Sequence, residues 1–351
     1  MLRKYILLSL VILSTHSFAQ TKVTAGIMQG KEYGVTYTLP KSKIQLQITA
    51  SKVDYHPGEF AKYASTYLHL EDISLRASTH WKLDKISISS IGVPDSEKVF
   101  FVRLRDKTVA PLMELTKDGI IKTINVPFAK EKEETIPQQK KVEATANPRD
   151  YFTEEILMAN SSAKMAELVA KEIYQIRESK NSLLRGESEN MPQDGEQLKL
   201  MLDNLEKQEN ALTSLFQGRT STTTEVFNIE IEPTDQLTDY IACRFSTRLG
   251  VLSSDNLAGE PITLSLKNLH TVQIPTDDGK KKVQGIAYNI PGRAAVVVKY
   301  NNQEIAKGDL PITQFGGVEY LAASLFNKRS KIQVYFDPNT GALLKVDQEN
   351  L

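Results

Sequence analysis

Alternation of apolar and polar residues, repeated in two long blocks of the chain, limits the fold more than any other feature of the sequence. The clearest runs are Ile44, Leu46, Ile48 and Ala50 in the first block, and Ile262, Leu264 and Leu266 in the second. A period of two residues is typical of a strand with one buried face. Turn signals such as Thr116–Gly119 and Asp337–Gly341 separate the runs. The pattern therefore predicts antiparallel sheets of the sandwich or barrel type.

Between these blocks the sequence changes to a helical pattern. Large apolar residues follow a heptad spacing, with Glu209 at the position that the series skips: Leu198, Leu202, Leu205, Leu212 and Phe216. A preceding segment offers smaller residues at the same spacing: Ala159, Ala163, Ala166, Ala170 and Ile173. Small residues facing large ones let two helices approach closely, and Gly186–Gly195 supplies a turn. We predict an antiparallel helical hairpin that is too short for an independent coiled coil and docks on a sheet or a partner.

One shorter helix is predicted inside the first β block, over about residues 57–70. Pro57 suits a first helical turn, because its missing N–H has no intrahelical partner there. Apolar residues then recur at three- and four-residue spacing, which places them on one face: Phe60, Tyr63, Ala64, Tyr67 and Leu68. We expect this face to pack onto the sheet.

These patterns predict a mainly β (α+β) fold with two antiparallel β-rich, sandwich-like domains and the helical hairpin between them. The N-terminal β-rich domain with its one helix covers residues 20–128, and the C-terminal β-rich domain covers 218–351. Residues 129–148 are predicted to be a flexible linker, since a charged segment without aromatic residues cannot bury enough apolar surface to offset its ordering entropy. The hairpin occupies 149–217. The sequence leaves open whether the two β blocks share one core.

Residues 1–19 have the three parts of a secretory signal peptide. Arg3 and Lys4 form the positive start, residues 6–13 are apolar, and small residues precede a cleavage site between Ala19 and Gln20. The alternative is a short membrane anchor, but the apolar stretch falls well below the roughly 20 residues that span a bilayer. We expect export to the periplasm or the extracellular space, with no transmembrane segment in the mature chain and outer-membrane association only through a partner.

The charge balance and the motif content of the sequence limit the functions that it supports. The 43 basic and 43 acidic residues balance, which argues against nucleic acid as a partner. The chain lacks GxxxxGK[ST], GxGxxG, GxSxG, HExxH and CxxC. Asp54, His56 and Glu59 have metal-like spacing, but we favour the start of the predicted helix as their explanation, since it requires no metal. Cys243 sits in an apolar stretch and is expected to be a small buried hydrophobe. We predict no catalytic residues, no metal site and no cofactor.

Two kinds of surface could bind a partner. Tyrosines concentrate in the first block, where exposed rings could stack on sugars or instead pack the core. Charged residues cover the outward face of the hairpin, which is usually just solvated. The tentative partner or glycan surface consists of Tyr33, Tyr37, Trp81, Lys171 and Arg177.

Several phrases of the sequence resemble a family of secreted proteins from Bacteroidota that is known as a domain of unknown function. The phrases are Tyr33–Lys41, Tyr55–Leu68, Leu205–Gly218 and Thr340–Lys345. The resemblance extends over most of the mature chain and implies export and a bacterial envelope setting. It carries no catalytic residues with it.

The sequence therefore favours an exported, non-catalytic envelope protein that acts as a binding or adaptor module, with another envelope protein or a glycan as its partner. The alternative is a carbohydrate-binding or glycan-cleaving protein that uses tyrosines and an Asp/Glu pair. Cleavage needs two carboxylates across a cleft, and the sequence cannot choose such a pair among 43 acidic residues.

Overall fold

A computed structural model describes residues 22–25, 34–103, 113–126, 146–188, 194–273, 285–322, 325 and 330–350. The strands are β1 (Lys22–Ala25), β2 (Gly34–His56), β3 (Ser78–Arg103), β4 (Met113–Leu115), β5 (Ile121–Ile124), β6 (Arg219–Ile231), β7 (Gln236–Ser246), β8 (Gly250–Leu252), β9 (Glu260–Asn268), β10 (Gly285–Tyr300), β11 (Gln303–Ala322), β12 (Ser330–Phe336) and β13 (Leu343–Asn350). The α-helices are α1 (Ala64–Leu68), α2 (Glu154–Leu157), α3 (Ser162–Arg185) and α4 (Gly195–Gln217), with 3₁₀ turns at Ala61–Tyr63 and Pro148–Tyr151.

The described strands form three antiparallel sheets. Sheet 1 has the order β1-β3-β2-β6, sheet 2 the order β11-β10-β9-β7-β8, and sheet 3 the order β13-β12-β5-β4. Sheets 1 and 3 combine strands from both β blocks of the sequence. The predicted mainly β fold with few helices is confirmed.

Two apolar cores fill the space between the sheets, and both blocks contribute to each. The first β core contains Ile44, Leu46, Ile48, Ala50, Ile231, Cys243, Phe245, Ile262, Leu264, Leu266, Ala294, Val296, Val298, Ile312 and Phe315. The second β core contains Tyr37, Leu39, Phe100, Val102, Ile121, Ile124, Ile286, Ala287, Leu321, Ile332, Val334 and Phe336. The question left open by the sequence is thus answered: residues 20–128 and 218–351 share both cores. Strands of opposite blocks pair because each block alone offers only part of the apolar surface that a core needs.

The long strands β2 and β10 contribute to both cores because the side chains that face inward switch between odd and even positions along each strand. In β2 the buried residues are odd-numbered at Tyr37 and Leu39 and even-numbered from Pro40 to Ala50. A register shift between Thr38 and Pro40 accompanies this change, and β10 has one between Ile290 and Gly292. A bulge adds one residue to a strand and moves the side chains that follow to the other face.

Buried hydrogen bonds join sheet 1 to sheet 2 near these register shifts. Ser42 N–H donates to Thr313 Oγ1 at 2.9 Å, and Gln314 Nε2 donates to the Ser42 carbonyl at 2.7 Å. Asn289 Nδ2 lies 2.8 Å from the carbonyl oxygens of Pro40 and Thr340. These bonds satisfy polar groups that would otherwise be costly to bury, and they fix sheet 1 against sheet 2.

Local turn predictions agree with the structure where it describes them. Residues 116–119 join β4 to β5, with Gly119 at a φ of 81°, and Asp337–Gly341 lies between β12 and β13. Of the predicted linker 129–148, residues 129–145 lie outside the described residues. So does the leader, with Ala19 and Gln20.

Candidate interaction surface on the helical hairpin

The helices have a core of their own. Phe60, Ala64, Leu68, Ile156, Ala166, Leu168, Val169, Ala170, Ile173, Ile176, Leu212, Leu215 and Phe216 form one buried cluster. Every one of these residues lies in a helix or in the segment that leads into one, and none lies in a strand. We call residues 57–75 and 146–217 the helical module and the three sheets the β body.

The predicted short helix is present but starts later, at Ala61, and ends at Leu68. Its expected packing onto the sheet is wrong, because Phe60, Ala64 and Leu68 pack in the helical module. Phe60 lies 5.6 Å from Phe216 between ring centroids. The apolar periodicity of a helix defines which face is buried but not which surface buries it. Glu59 precedes the helix and pairs with Arg149 at 3.3 Å instead of capping it.

Capping residues define the two long helices of the hairpin. The Ser161 hydroxyl accepts from Lys164 N–H at the start of α3, and Gly186 ends that helix at a φ of 71°. The Asp194 carboxylate accepts from Glu196 N–H at the start of α4. Ser and Asp satisfy backbone donors that have no intrahelical partner, and glycine adopts the left-handed cap without strain. The two helices of the predicted hairpin are present, and they end and begin at the two sides of the predicted turn.

The base of the hairpin makes close backbone contact with the segment that follows β2. Phe60 N–H donates to the Leu215 carbonyl at 2.7 Å, and a Cβ on Gly58 would collide with that same carbonyl group. Gly218, at a φ of 81°, leads from α4 into β6. The Tyr55 hydroxyl lies 3.1 Å from the Gln217 carbonyl. The base of the hairpin is therefore held firmly at one end of sheet 1.

An ionic cluster crosses the seam between α3 and α4. Arg177 Nε donates to Glu209 Oε1 at 2.7 Å, and Lys180 Nζ donates to Oε2 at 2.9 Å. Desolvation acts to raise the pKa of Glu209, but the two hydrogen bonds and the positive charges outweigh it and hold that pKa below its ordinary value. A charged residue can stand at this position of the heptad series because Glu209 lies opposite two cations of α3. The two helices therefore stay in contact at Glu209.

The seam is tightly packed on one side of this cluster and looser on the other, where Leu183 of α3 is still buried. Between Glu209 and the base, Leu212 and Phe216 are buried. Away from the base, Leu198, Leu202 and Leu205 are only half-buried, and Met201 is 40% exposed. We call Leu184, Leu198, Met201, Leu202 and Leu205 the distal seam.

Leu184 is the most informative member of the distal seam. It follows Arg177 by seven residues and Ile173 by eleven, so it lies at the edge of the buried face of α3, next to the buried Leu183. It is nevertheless 65% exposed. On α4, Leu202 precedes Glu209 by seven residues and lies on the face that points to α3. Both residues lie about 10 Å along the helix axes from the ionic cluster. An apolar stripe between the two helices is thus left accessible to solvent.

The structure places two of the predicted surface residues on the hairpin. Lys171 is exposed and lines a cleft of about 330 Å³ between α2 and α3, together with Glu154, Glu155 and Glu172. Arg177 is committed to Glu209, and its guanidinium lies 5.5 Å from the centre of the Tyr174 ring. Arg177 therefore organises the seam and presents only part of its side chain.

The aromatic part of the predicted surface is not supported. Tyr37 is fully buried in the second β core, where its hydroxyl accepts from Ala287 N–H at 2.8 Å and burial raises its pKa. It cannot stack on a glycan, and its prediction as a surface residue is wrong. Trp81 is half-buried against the first β core, 6.4 Å from Phe227 between ring centroids. Tyr33 lies outside the described residues. The phase change in β2, which the sequence does not reveal, turns Tyr37 inward.

The sequence pattern missed the distal seam although a signal was present. The small-residue series that predicts α3 ends at Ile173, whereas the same heptad spacing continues through Arg177 to Leu184. With this continuation, the heptad spacing alone pairs Leu184 with the leucines of α4. The spacing of this series does not, however, show which of its residues are exposed to solvent.

A second cleft, of about 240 Å³, lies at the base of the hairpin. It is lined by His56, Glu59, Arg149, Arg219 and their neighbours. Its charged groups are largely used within the chain: Arg149 pairs with Glu59 at 3.3 Å, and Arg219 Nε donates to Ser214 Oγ at 3.3 Å. This cleft is a joint between the helical module and the β body.

Titratable groups give little support to a glycan-cleaving centre. A general acid of this type has a raised carboxyl pKa. The described carboxyl groups with shifted pKa values are Asp54, Glu209 and Asp255, and hydrogen bonds or nearby cations lower the pKa of each. Among the residues that the structure describes, His, Cys, Asp and Glu side chains form no group of three that could hold a metal ion.

Comparison with known proteins adds a family and no activity. The model of one protein family, described as Domain of unknown function (DUF4831), matches residues 33–344. Neither the curated proteins nor the solved structures give a significant match. Of the helices that the structure describes, none has both the length and the apolar character that crossing a lipid bilayer requires.

Proposed function

The chain belongs to the DUF4831 family, and from that premise we propose that it is an exported, non-catalytic adaptor of the bacterial cell envelope. In this proposal the β body is a rigid support and the hairpin binds a partner protein. The distal seam is the binding element. The observation that carries the proposal is the exposure of Leu184 and Met201 beside leucines of α4 that are only half-buried.

The chemistry of the seam favours one kind of partner. It is a narrow apolar stripe between two antiparallel helices, with charged residues such as Arg185, Asp203 and Glu206 around it. An amphipathic helix buries its apolar face in such a groove and keeps its polar face in water. A third helix would also complete the packing that α3 and α4 leave unfinished beyond Glu209.

Site-specific photo-crosslinking in living cells tests this proposal. A photoreactive residue at Leu184 or at Met201 should attach to the same protein. Leu344 on β13 is the matched control, since it is 66% exposed against 65% for Leu184 and equally apolar. Absence of an adduct at Leu184 and Met201, or an equal adduct at Leu344, would refute the role of the seam.

Export is the second part of the proposal, and it rests on the three-part leader pattern of residues 1–19. Sequencing the amino terminus of the protein isolated from the envelope fraction tests it. The expected first residue is Gln20. Recovery of the protein from the cytoplasm with the leader attached would contradict export and would leave the seam proposal to its own test.

A further inference from the structure

Strand β6 has one edge that pairs with no strand among the described residues. On one side it pairs with β2 along its whole length, from His56 opposite Arg219 to Ile44 opposite Ile231. It is the end strand of sheet 1, so among the described residues no strand pairs with its other side. Residues 219–226 are all exposed. The backbone groups on that side are therefore accessible to another strand.

This edge lacks the features with which proteins usually protect edge strands. Residues 220–224 read Thr-Ser-Thr-Thr-Thr, without a proline or a charge, and the pairing of β6 with β2 has no register shift. Charged side chains, prolines and bulges normally prevent such an edge from pairing with another chain. Threonine has a high strand propensity. The segment is well suited to accept a further strand.

The same segment is complementary to itself in an antiparallel arrangement. With a twofold axis at Thr222, Arg219 lies opposite Glu225 of the partner subunit. Thr220 then lies opposite the partner's Thr224, and Ser221 opposite the partner's Thr223. Opposite charges and threonine pairs across strands both stabilise a sheet. A twofold axis makes each of these contacts twice, as in an isologous dimer.

The side chains required for this pairing are accessible. Glu225 and Arg219 lie on the same face of β6, since their numbers differ by six and side chains alternate along a strand. Arg219 makes two long hydrogen bonds within the chain, to Ser214 Oγ at 3.3 Å and to the Ala146 carbonyl at 3.4 Å. The guanidinium has five N–H donors, so its contacts with the described residues leave three of them for a carboxylate.

From this complementarity we propose that the protein forms a symmetric dimer in which residues 219–225 of two copies pair as antiparallel strands. The two copies of sheet 1 then form one continuous eight-stranded sheet. The pairing surface lies on the β body, apart from the distal seam, so it requires no part of the function proposed above.

Cysteine cross-linking tests the register directly. The variant Thr222→Cys places two cysteines opposite each other at the axis, and mild oxidation should convert most of the protein into a covalent dimer. Thr220→Cys is the matched control, because two copies of residue 220 would lie four residues apart along the strands, about 14 Å. A mixture of Thr220→Cys and Thr224→Cys should cross-link to each other. The native thiol does not compete, since Cys243 is buried and desolvation raises its pKa to about 12.

Charge exchange provides a second test. Sedimentation velocity should show the unmodified protein as a dimer and Glu225→Arg as a dimer weakened more than tenfold, because two arginines then face each other. The double variant Arg219→Glu/Glu225→Arg restores opposite charges and should recover the dimer. Glu178→Arg on α3 makes the same change in charge away from the edge and should have no effect.

Three results would overturn the proposal: a monomer at all concentrations, a dimer that Glu225→Arg leaves unchanged, or equal cross-linking of Thr222→Cys and Thr220→Cys. Circular dichroism of each variant shows whether it folds. A variant that fails to fold is replaced by Thr222→Lys, which brings two like charges together at the axis and should dissociate the dimer.

Discussion

The β body and the helical module bury their apolar side chains by different routes. In the β body, residues from both ends of the chain meet in each core, and bonds such as Ser42 to Thr313 join positions 271 residues apart. In the helical module, the core comes from two local segments and has no strand residue among its buried members. The β body closes its cores among the described residues, whereas the seam of the hairpin is less completely buried beyond Glu209, where Leu198 and Leu202 are only half-buried.

This difference explains why accessible apolar surface lies on the helical module. A core assembled from distant strands is stable only when it is complete, because every strand contributes part of one apolar layer. A helical hairpin fixed at its base can leave its far end unfinished, since its backbone hydrogen bonds are satisfied within each helix. Apolar surface is therefore available on the module that can carry it at low cost to the fold.

Among the variants that test the difference between the two regions, Phe216→Ala is expected to have the largest effect on stability. Phe216 is fully buried in the helical core, and removal of a buried Phe costs about 3–5 kcal/mol. If the two regions fold semi-independently, hydrogen exchange should accelerate throughout α1, α3 and α4 and stay slow in β9 and β10. Leu264→Ala in the first β core is the comparison variant and should accelerate exchange in the β body. Uniform acceleration by Phe216→Ala would show that the two regions form one cooperative unit.

Gly58→Ala tests the close contact between the base of the hairpin and the segment that follows β2. The added Cβ would meet the Leu215 carbonyl group, and relief of this overlap by backbone shifts costs about 1–3 kcal/mol. Thermal unfolding should therefore occur at a lower temperature. Gly195→Ala is the control with the same chemical change, since a Cβ there meets nothing within 4 Å. An equal loss in both variants would contradict the close contact.

Glu209→Gln should weaken the hairpin by about 1–2 kcal/mol, because it removes two charge-assisted hydrogen bonds while Arg177 and Lys180 remain partly solvated. Denaturant unfolding followed by helix-sensitive circular dichroism measures this loss. Glu206→Gln changes an exposed neighbour in α4 and should have little effect. A Glu209→Gln protein as stable as the unmodified one would show that the ionic cluster contributes nothing to the seam.

Acid should reproduce part of that loss in the unmodified protein. The pKa of Glu209 is depressed in the folded state below its ordinary value of 4.5, so the unfolded chain takes up the proton first as the pH falls. The contribution of Glu209 is complete above pH 4.5 and is lost as the pH falls through the lower, folded-state value. In Glu209→Gln, the dependence of hairpin stability on pH in this range should be smaller. Parallel curves for the two proteins would contradict the assignment.

Leu184→Ser should have the smallest effect on stability, within about 0.5 kcal/mol, because the side chain is already largely in water. Its effect should appear in partner binding, through loss of the cross-link from Met201 described above. A large loss of stability would indicate that Leu184 is packed in the free protein, and the distal seam would then be closed.

Local patterns in the sequence determined a large part of this protein. The alternation in β2 and β9, the turns at 116–119 and 337–341, and the two helices of the hairpin follow from residues a few positions apart. Their energetics are decided by backbone propensity and by which face is apolar. The same patterns could not place Tyr37 inside or the helix after Pro57 on the hairpin, since each has an apolar face that suits several surroundings.

Only the tertiary structure decided which elements share a core and which apolar residues stay exposed. Leu184 and Leu212 belong to similar series in the sequence, yet one is largely in water and the other is buried. Burial depends on the surface that another part of the chain presents, and contacts between residues hundreds of positions apart are selected by packing and not by local preference. The sequence by itself thus determined the strands, the turns and the hairpin, while the packing between them determined the two shared cores, the open seam and the free edge of β6.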